Sequence, residues 1–241
     1  KAADKGNREA MNNLGNCFHE GDGIAKSFTQ AAKWFTKAAE KGDMNAMNAL
    51  GVYFERGLGV DQDMTKALEW YSQAAEKGSK EAMNNLGICY HEGKGTVKNL
   101  AKAIVWYTKS AEKGYGDAMF NLANCFERGL GVEQDLAEAV EWFTKATEEG
   151  VSAAMCRLGL CLGKGCGGPQ NMTEALEWYT KAAQKGNGTS MWNLGMCFAK
   201  GRGVGRDLVK AREWFTKAKR VGEVGAQKQI DLLTEMIRRR R

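Results

Sequence analysis

Residues 43–78 read DMNAMNALGVYFERGLGVDQDMTKALEWYSQAAEKG, and this stretch decides the fold. Ala46, Leu50, Gly51, Phe54, Gly57, Gly59, Val60, Asp63, Lys66, Ala67, Trp70, Tyr71, Ala74, Ala75 and Gly78 form a pattern that recurs on either side of it. Trp34, Trp70, Trp106, Trp142, Trp178 and Trp214 stand 36 residues apart. The same step of 36 links Gly6, Gly42, Gly78, Gly114, Gly150, Gly186 and Gly222, and also Leu14, Leu50, Leu86, Leu122, Leu158 and Leu194. Three ladders in register, with no insertion or deletion, mean a tandem repeat. Each unit is then one supersecondary element that must bury its apolar face against its neighbours.

The pattern within a unit predicts two helices. In the first unit Ala10, Met11, Leu14, Cys17 and Phe18 share one face of a helix from about Glu9 to Glu20. Gly15 lies on that face. Glycine is costly inside a helix, so its use there predicts close approach by a partner helix. Gly21 and Gly23 break the chain. Ala31, Trp34, Phe35, Ala38 and Ala39 then give the i, i+3, i+4, i+7, i+8 stripe of a second helix, from about Thr29 to Lys41, with Gly42 as the left-handed residue that closes it.

Six such units fill 7–42, 43–78, 79–114, 115–150, 151–186 and 187–222. Lys1–Gly6 (KAADKG) matches Lys37–Gly42 (KAAEKG), so residues 1–6 are expected to be the remnant of a preceding repeat, and the chain a subunit or fragment of something longer. Residues 223–241 are expected to form a capping helix with an Arg-rich end. Ile230, Leu233 and Ile237 give it a single apolar stripe, and Asp231 replaces the close-packing glycine, as a terminal repeat requires.

Composition agrees. Thirty glycines beside one proline, Pro169, with 43% apolar residues, describe a chain that can bury a core and whose helices are punctuated by glycine. The net charge of +6 is spread along the chain except at Arg238–Arg241, which reads either as a solvated helix end or as a basic anchor for an acidic partner or nucleic acid. No apolar run approaches the ~18 residues of a membrane span, and no signal peptide opens the chain. Seven cysteines without paired spacing make a poor disulfide framework. Cys17, Cys89, Cys125, Cys161 and Cys197 share one repeat position, where neighbours should exceed the ~7 Å Cα limit for a disulfide. They read as buried thiols serving as small hydrophobes, which points to a reducing, cytoplasmic compartment and leaves a lumenal one open.

The unit reads A-M-x-x-L-G-x-C/Y-F/Y-x-x-G-x-G-V, then D-x-x-K-A-x-x-W-Y/F-T-K-A-A-x-x-G. It resembles the Sel-1-like repeat family, a relative of the tetratricopeptide repeats, whose period is about 34. The resemblance covers essentially the whole chain. Departures are local: Ala123 for the first-helix glycine, Leu162 for the aromatic, Gly168 for the valine, and Ser27 where Asp63 stands in the second unit. The resemblance implies an all-α fold, a right-handed α/α superhelix (solenoid) whose concave groove is lined by first helices. It also implies adaptor work, since family members scaffold membrane-protein degradation complexes, activate cell-wall synthases and mediate bacterial contact with host proteins. A cysteine-rich subgroup carries disulfide-bonded pairs, a pairing this chain lacks.

By register, three rows of first-helix residues line that groove. Asn13, Ala49, Asn85, Asn121, Arg157 and Asn193 form the first, with Asn16 and Asn124 one turn further along. An asparagine amide offers two donors and an acceptor, which suits the backbone of an extended peptide; a solvated consensus surface is the other reading. Asn12, Asn48, Asn84, Phe120, Cys156 and Trp192 form the second, where Phe120 and Trp192 are either binding anchors or packing between repeats. Glu20, Arg56, Glu92, Arg128, Lys164 and Lys200 form the third, uniformly positive from Arg128 onward. With Arg202 and Arg206 nearby, it favours an acidic segment or a C-terminal carboxylate, against the reading of solvated loop charge.

Other signals carry less. GKGCGG at Gly163–Gly168 lacks the Lys-Ser/Thr ending and preceding strand of a phosphate loop. His19 and His91 are two repeats apart and are expected to be too distant to share a metal. Asn171-Met172-Thr173 and Asn187-Gly188-Thr189 fit the glycosylation triplet and matter in a lumenal setting. No nucleophile–base pairing occurs at usable spacing, so neither catalysis nor a cofactor is expected. The leading expectation is a scaffold or adaptor that binds a protein or extended peptide. The alternative is an RNA-binding helical repeat, which needs a continuous basic track that Glu20 and Glu92 interrupt.

Overall fold

The computed structural model describes Ala3 and residues 6–239. The expectations for Lys1, Ala2, Asp4 and Lys5, and for Arg240 and Arg241, lie outside the described residues. Among the described residues there are thirteen α-helices and no strand. They alternate as first and second helices: α1 (Arg8–Glu20) with α2 (Phe28–Glu40), α3 (Met44–Arg56) with α4 (Met64–Glu76), and α5 (Lys80–Glu92) with α6 (Leu100–Glu112). The series continues with α7 (Gly116–Arg128) and α8 (Leu136–Glu148), α9 (Ser152–Lys164) and α10 (Met172–Gln184), and α11 (Gly188–Lys200) and α12 (Leu208–Arg220), and ends on α13 (Ala226–Arg238). The residues group into two compact units, one reaching Ala118 and including Leu130–Val132, the other made of Met119–Gly129 and the residues from Glu133 on.

The helix ends follow from local chemistry. Ser27, Asp63, Asn99, Asp135, Asn171 and Asp207 each precede a second helix, and each side-chain oxygen accepts from an amide in the first turn. That satisfies donors with no partner inside the helix. Ser27 and Asp63 therefore do the same work, which is why the departure in the first repeat is harmless. First helices end on a glycine such as Gly57, whose left-handed conformation (φ 66°) lets its amide bond back to the Tyr53 carbonyl.

The core of each hairpin is one aromatic ring laid on one small residue. Phe35, Tyr71, Tyr107, Phe143, Tyr179 and Phe215 are buried on the second helices. A Cβ built on Gly51 would lie 2.4 Å from the Tyr71 ring, and one on Gly15 would lie 2.5 Å from Phe35. The expected close approach at Gly15 is thus present, and it recurs at Gly87, Gly159 and Gly195.

The tryptophan ladder behaves differently from the stripe predicted for it. Trp34, Trp70, Trp106, Trp142, Trp178 and Trp214 are half-buried, and the residue after each one is the fully buried ring. Lys37, Lys109, Lys145, Lys181 and Lys217 lie 4.1–4.4 Å from the ring centres of Trp34, Trp106, Trp142, Trp178 and Trp214. A lysine one turn on covers the exposed face of these five by a cation–π contact, while Trp70 has Gln73 at that position. Burying both large rings of a hairpin would need more depth than one two-helix layer provides.

Neighbouring repeats meet through the second glycine of the connection. A Cβ on Gly59 would lie 2.4 Å from the Phe28 and Thr29 backbone at the start of α2, and one on Gly95 would lie 2.3 Å from the Met64 carbonyl oxygen at the start of α4. Gly167 seats on Leu136 at the start of α8 in the same way. Only a residue without a side chain fits between these backbones. At the C-terminal end, Leu233 is buried and Ile230 and Ile237 are half-buried against Leu208, Ala211 and Phe215. Asp231 faces solvent and accepts from Gln227 at 2.7 Å, so α13 presents a polar surface where a further second helix would pack.

Candidate functional site

The three rows lie on the first helices, and each unit arranges them in its own way. In the unit containing α1–α6, Asn13 and Asn16 are exposed on α1. Asn85 is half-buried, and its amide nitrogen donates to Asn48 Oδ1 at 3.0 Å. One asparagine of the first row is thus engaged by the second row of the preceding repeat. The third row here holds Glu20, Arg56 and Glu92, all exposed and mixed in sign.

This unit also holds a fourth row, one residue before the third, of which the sequence pattern shows only isolated histidines. His19 Nδ1 lies 2.7 Å from the Tyr53 hydroxyl, with the Phe28 ring 5.4 Å from the imidazole. The Tyr71 hydroxyl donates to Glu55 Oε2 at 2.7 Å, and Lys94 bridges Glu55 at 3.7 Å and Glu92 at 2.7 Å. Burial, then the nearby Glu20 charge, pushes the Tyr53 hydroxyl up to about 12. Burial, then the Glu55 carboxylate, pushes Tyr71 well above the usual phenol range. The signal was available: a buried tyrosine hydroxyl needs a partner, and Glu55 is the polar first-helix residue in reach.

The unit containing α8–α13 is laid out otherwise. Phe120 is half-buried with its ring 5.9 Å from Phe143, and Trp192 is half-buried, edge-on to Phe215 at 4.9 Å and over Gly225. Both rings pack within the fold. Asn121 and Asn193 are half-buried, the latter with its amide 4.0 Å from the Cys156 sulfur. Asn124 donates to the Phe120 carbonyl one turn back at 2.8 Å, inside its own helix. Arg157 forms an ion pair with Glu127 of the preceding repeat. Arg128, Lys164 and Lys200 are exposed, and among the described residues none has an acidic group within ion-pair distance. Arg202 is exposed beyond them, and Arg206 donates to the Ala199 carbonyl at 3.1 Å.

Further concavities lie off these rows. An open groove of about 590 Å³ runs along α10 to the connection after α11, lined by Leu176, Glu177, Thr180, Lys181, Gln184 and Val204. In the other unit, Asn45, Ser79, Lys80, Glu81 and Lys113 line one of about 440 Å³. Nothing in the repeat pattern marks either set as a binding surface.

Of the shared-position cysteines, Cys89, Cys125, Cys161 and Cys197 are buried, while Cys17 is half-buried at the first repeat. Burial pushes the thiols up, Cys89 to about 12 and Cys125 and Cys161 to about 11, so at neutral pH they rest as protonated thiols. Among the described residues, no group of three or more His, Cys, Asp or Glu is placed to hold a metal ion. None of the described helices is long and apolar enough to cross a membrane. Asn171 and Asn187, the two glycosylation candidates, use their side-chain carbonyl oxygens as helix caps.

A family model described as Sel1 repeat matches residues 8–43, 45–79, 80–115, 116–151, 152–187 and 188–222. The crystal structure of c5321, a protective antigen present in uropathogenic Escherichia coli strains that displays an SLR fold, is 37% identical with a TM-score of 0.81. The match covers 95% of this chain, which spans 49% of that one. A Sel1 repeat protein from Oxalobacter formigenes is 34% identical with a TM-score of 0.82, over 88% of this chain and 85% of that one. The immunity protein Pa5087 from Pseudomonas aeruginosa shares the fold at 18% identity, with a TM-score of 0.57, over 90% of this chain and 83% of its own. A search of curated proteins finds no match. The repeat pattern, the hairpin geometry and these likenesses agree, and the chain belongs to the Sel1 repeat family.

Proposed function

We propose that this chain is a non-catalytic protein-interaction module, working as a scaffold or adaptor in a larger assembly, whose α7, α9 and α11 face takes an acidic protein segment. The carrying observation is the repetition of exposed Arg128, Lys164 and Lys200 at the ends of three successive first helices, with no acidic partner among the described residues. The helix dipole favours a cation at such an end. It does not account for the row, because the same position holds Glu20 and Glu92 in the other unit. Cations held at a fixed step on rigid helices are already ordered for a segment carrying matching carboxylates, so less conformational entropy is lost on binding.

The test is binding of a fluorescein-labelled peptide of alternating glutamate and glycine, with a lysine–glycine peptide as control. Binding of the acidic peptide should weaken as salt rises. Lys164→Glu with Lys200→Glu should weaken it by about tenfold or more, the equivalent of ~1.4 kcal/mol. The same reversal at Lys33 and Lys181 of the second helices should leave it unchanged. Equal loss from both pairs, or no salt-dependent binding at all, overturns the reading.

A further inference from the structure

The first helices with a glycine cap end in the same hydrogen-bonded turn, and in one repeat that turn carries two thiols. At the end of α9, Gly165 is left-handed (φ 75°), and the Cys166 amide donates to the Cys161 carbonyl at 2.9 Å. This is the six-to-one bond of a Schellman ending. With standard bond lengths on either side, it holds the two Cα atoms within roughly 7 Å. Disulfides span Cα separations of about 4.4–6.8 Å.

The same ending turns the two side chains toward each other, since a contact between these positions accompanies the motif. Sister repeats bring the same two positions near each other. Leu58 packs on the cluster that contains Tyr53. Lys94 and Arg202 stand near enough for their charges to act on the Cys89 and Cys197 thiols. In the fifth repeat the corresponding neighbour of Cys161 is Cys166 itself. Cys17, Cys89, Cys125 and Cys197 are followed five residues on by Asp22, Lys94, Leu130 and Arg202, so this pairing belongs to one repeat alone. The connection is also held in place, because Gly167 sits against the Leu136 carbonyl.

We infer that Cys161 and Cys166 are a redox-active dithiol that closes to a disulfide across the α9 cap when a low-molecular-weight disulfide oxidant such as glutathione disulfide is supplied. Cys166 is half-buried and reaches solvent, so it meets the oxidant first. Its thiolate attacks one glutathione sulfur, forms a mixed disulfide and releases one glutathione. Cys161 then gives its proton to solvent and attacks the Cys166 sulfur, releasing the second glutathione. Two protein thiols lose two electrons and two protons, and one glutathione disulfide becomes two glutathione thiols. Buried Cys161 serves as the resolving thiol, its ionisation held back by burial.

The test uses the folded protein, incubated with glutathione disulfide, quenched in acid, alkylated and digested with trypsin. Lys164 lies between the two cysteines, so after cleavage peptides 158–164 and 165–181 stay joined only through the new bond. The expected result is the linked pair, released by dithiothreitol. Cys161→Ser should instead accumulate glutathione on Cys166, and Cys166→Ser should show no linked pair. The linked pair is read in the unsubstituted protein, so the outcome does not depend on either variant folding. A stable glutathione adduct on Cys166 with Cys161 still alkylated, or linkage formed only in denaturant, overturns the inference.

Discussion

Repeats 2 and 4 reach the same hairpin by different contacts. In repeat 2 a glycine, Gly51, admits the Tyr71 ring, whose hydroxyl donates to Glu55 of the same repeat. In repeat 4 the glycine is Ala123, the ring is Phe143, both are fully buried, and Glu127 turns to Arg157 of the next repeat. Both acids reach a cation of the following repeat, Glu55 to Lys94 at 3.7 Å and Glu127 to Arg157, and the buried hydroxyl of Tyr71 adds a bond within the hairpin that Phe143 does not supply. The hairpin also accepts a methyl at the contact when the ring opposite leaves room, so close approach is one solution among others for this seam.

The largest expected effect is removal of either ring. Tyr71→Ala and Phe143→Ala should each cost about 3–5 kcal/mol, read as lost hydrogen-exchange protection in the affected hairpin, since repeat arrays need not unfold as one unit. If one loss is much smaller, the two rings are not equivalent supports. Next, Gly51→Ala should cost about 1–3 kcal/mol through overpacking on Tyr71. Ala123→Gly should cost about 1 kcal/mol, mostly helix propensity. A neutral Gly51→Ala by urea denaturation would remove the steric distinction.

Alkali should then tell the regions apart. Cys89 is pushed up to about 12 from 9.0, and Tyr53 to about 12 from 10.0, because the fold buries their neutral forms. The unfolded chain loses these protons first. The stability they contribute is therefore intact below pH 9 and is lost as pH climbs toward 12. Repeat 4 offers Tyr115, pushed up to about 12, and Cys125, pushed up to about 11, while the α3–α5 region adds Tyr71, pushed up furthest by burial and the Glu55 carboxylate. Melting followed from about pH 8 to 11 should show the α3–α5 region weakening more than α8, and a uniform decline would contradict this. Tyr71→Phe should cost about 1 kcal/mol by unpairing the Glu55 bond. Smallest of all, Glu127→Gln should cost less than about 1 kcal/mol, because the Arg157 pair is partly solvated.

The period, the two helices and the glycine contact were legible because they repeat: a chance glycine at position 15 carries nothing, and the same glycine in five of six repeats marks a packing surface. The division of labour between Trp34 and Phe35 was not legible. Both lie on one helical stripe, and depth within a single layer, which periodicity does not encode, decides which is covered. The fate of the asparagine row was also hidden. Asn85 bonds Asn48 across 37 residues of sequence, a contact set by how one repeat stacks on another. Glu55 escaped notice for a similar reason, since its partner Tyr71 sits 16 residues on, in the other helix. The rows lie on first helices as their register predicts, while the donors and acceptors still available on them became visible only in three dimensions.

The seat of Gly59 on the start of α2 has one more consequence. It is a contact between two main chains, so no change of side chain can compensate for displacing it. Adding or dropping a single residue in the connection would lift the glycine off and push a Cβ into its neighbour. Each joint thus acts as a length gauge that tolerates one spacing. That accounts for a step of 36 held without slippage from Trp34 to Trp214, while the surface residues between those joints stay free to vary.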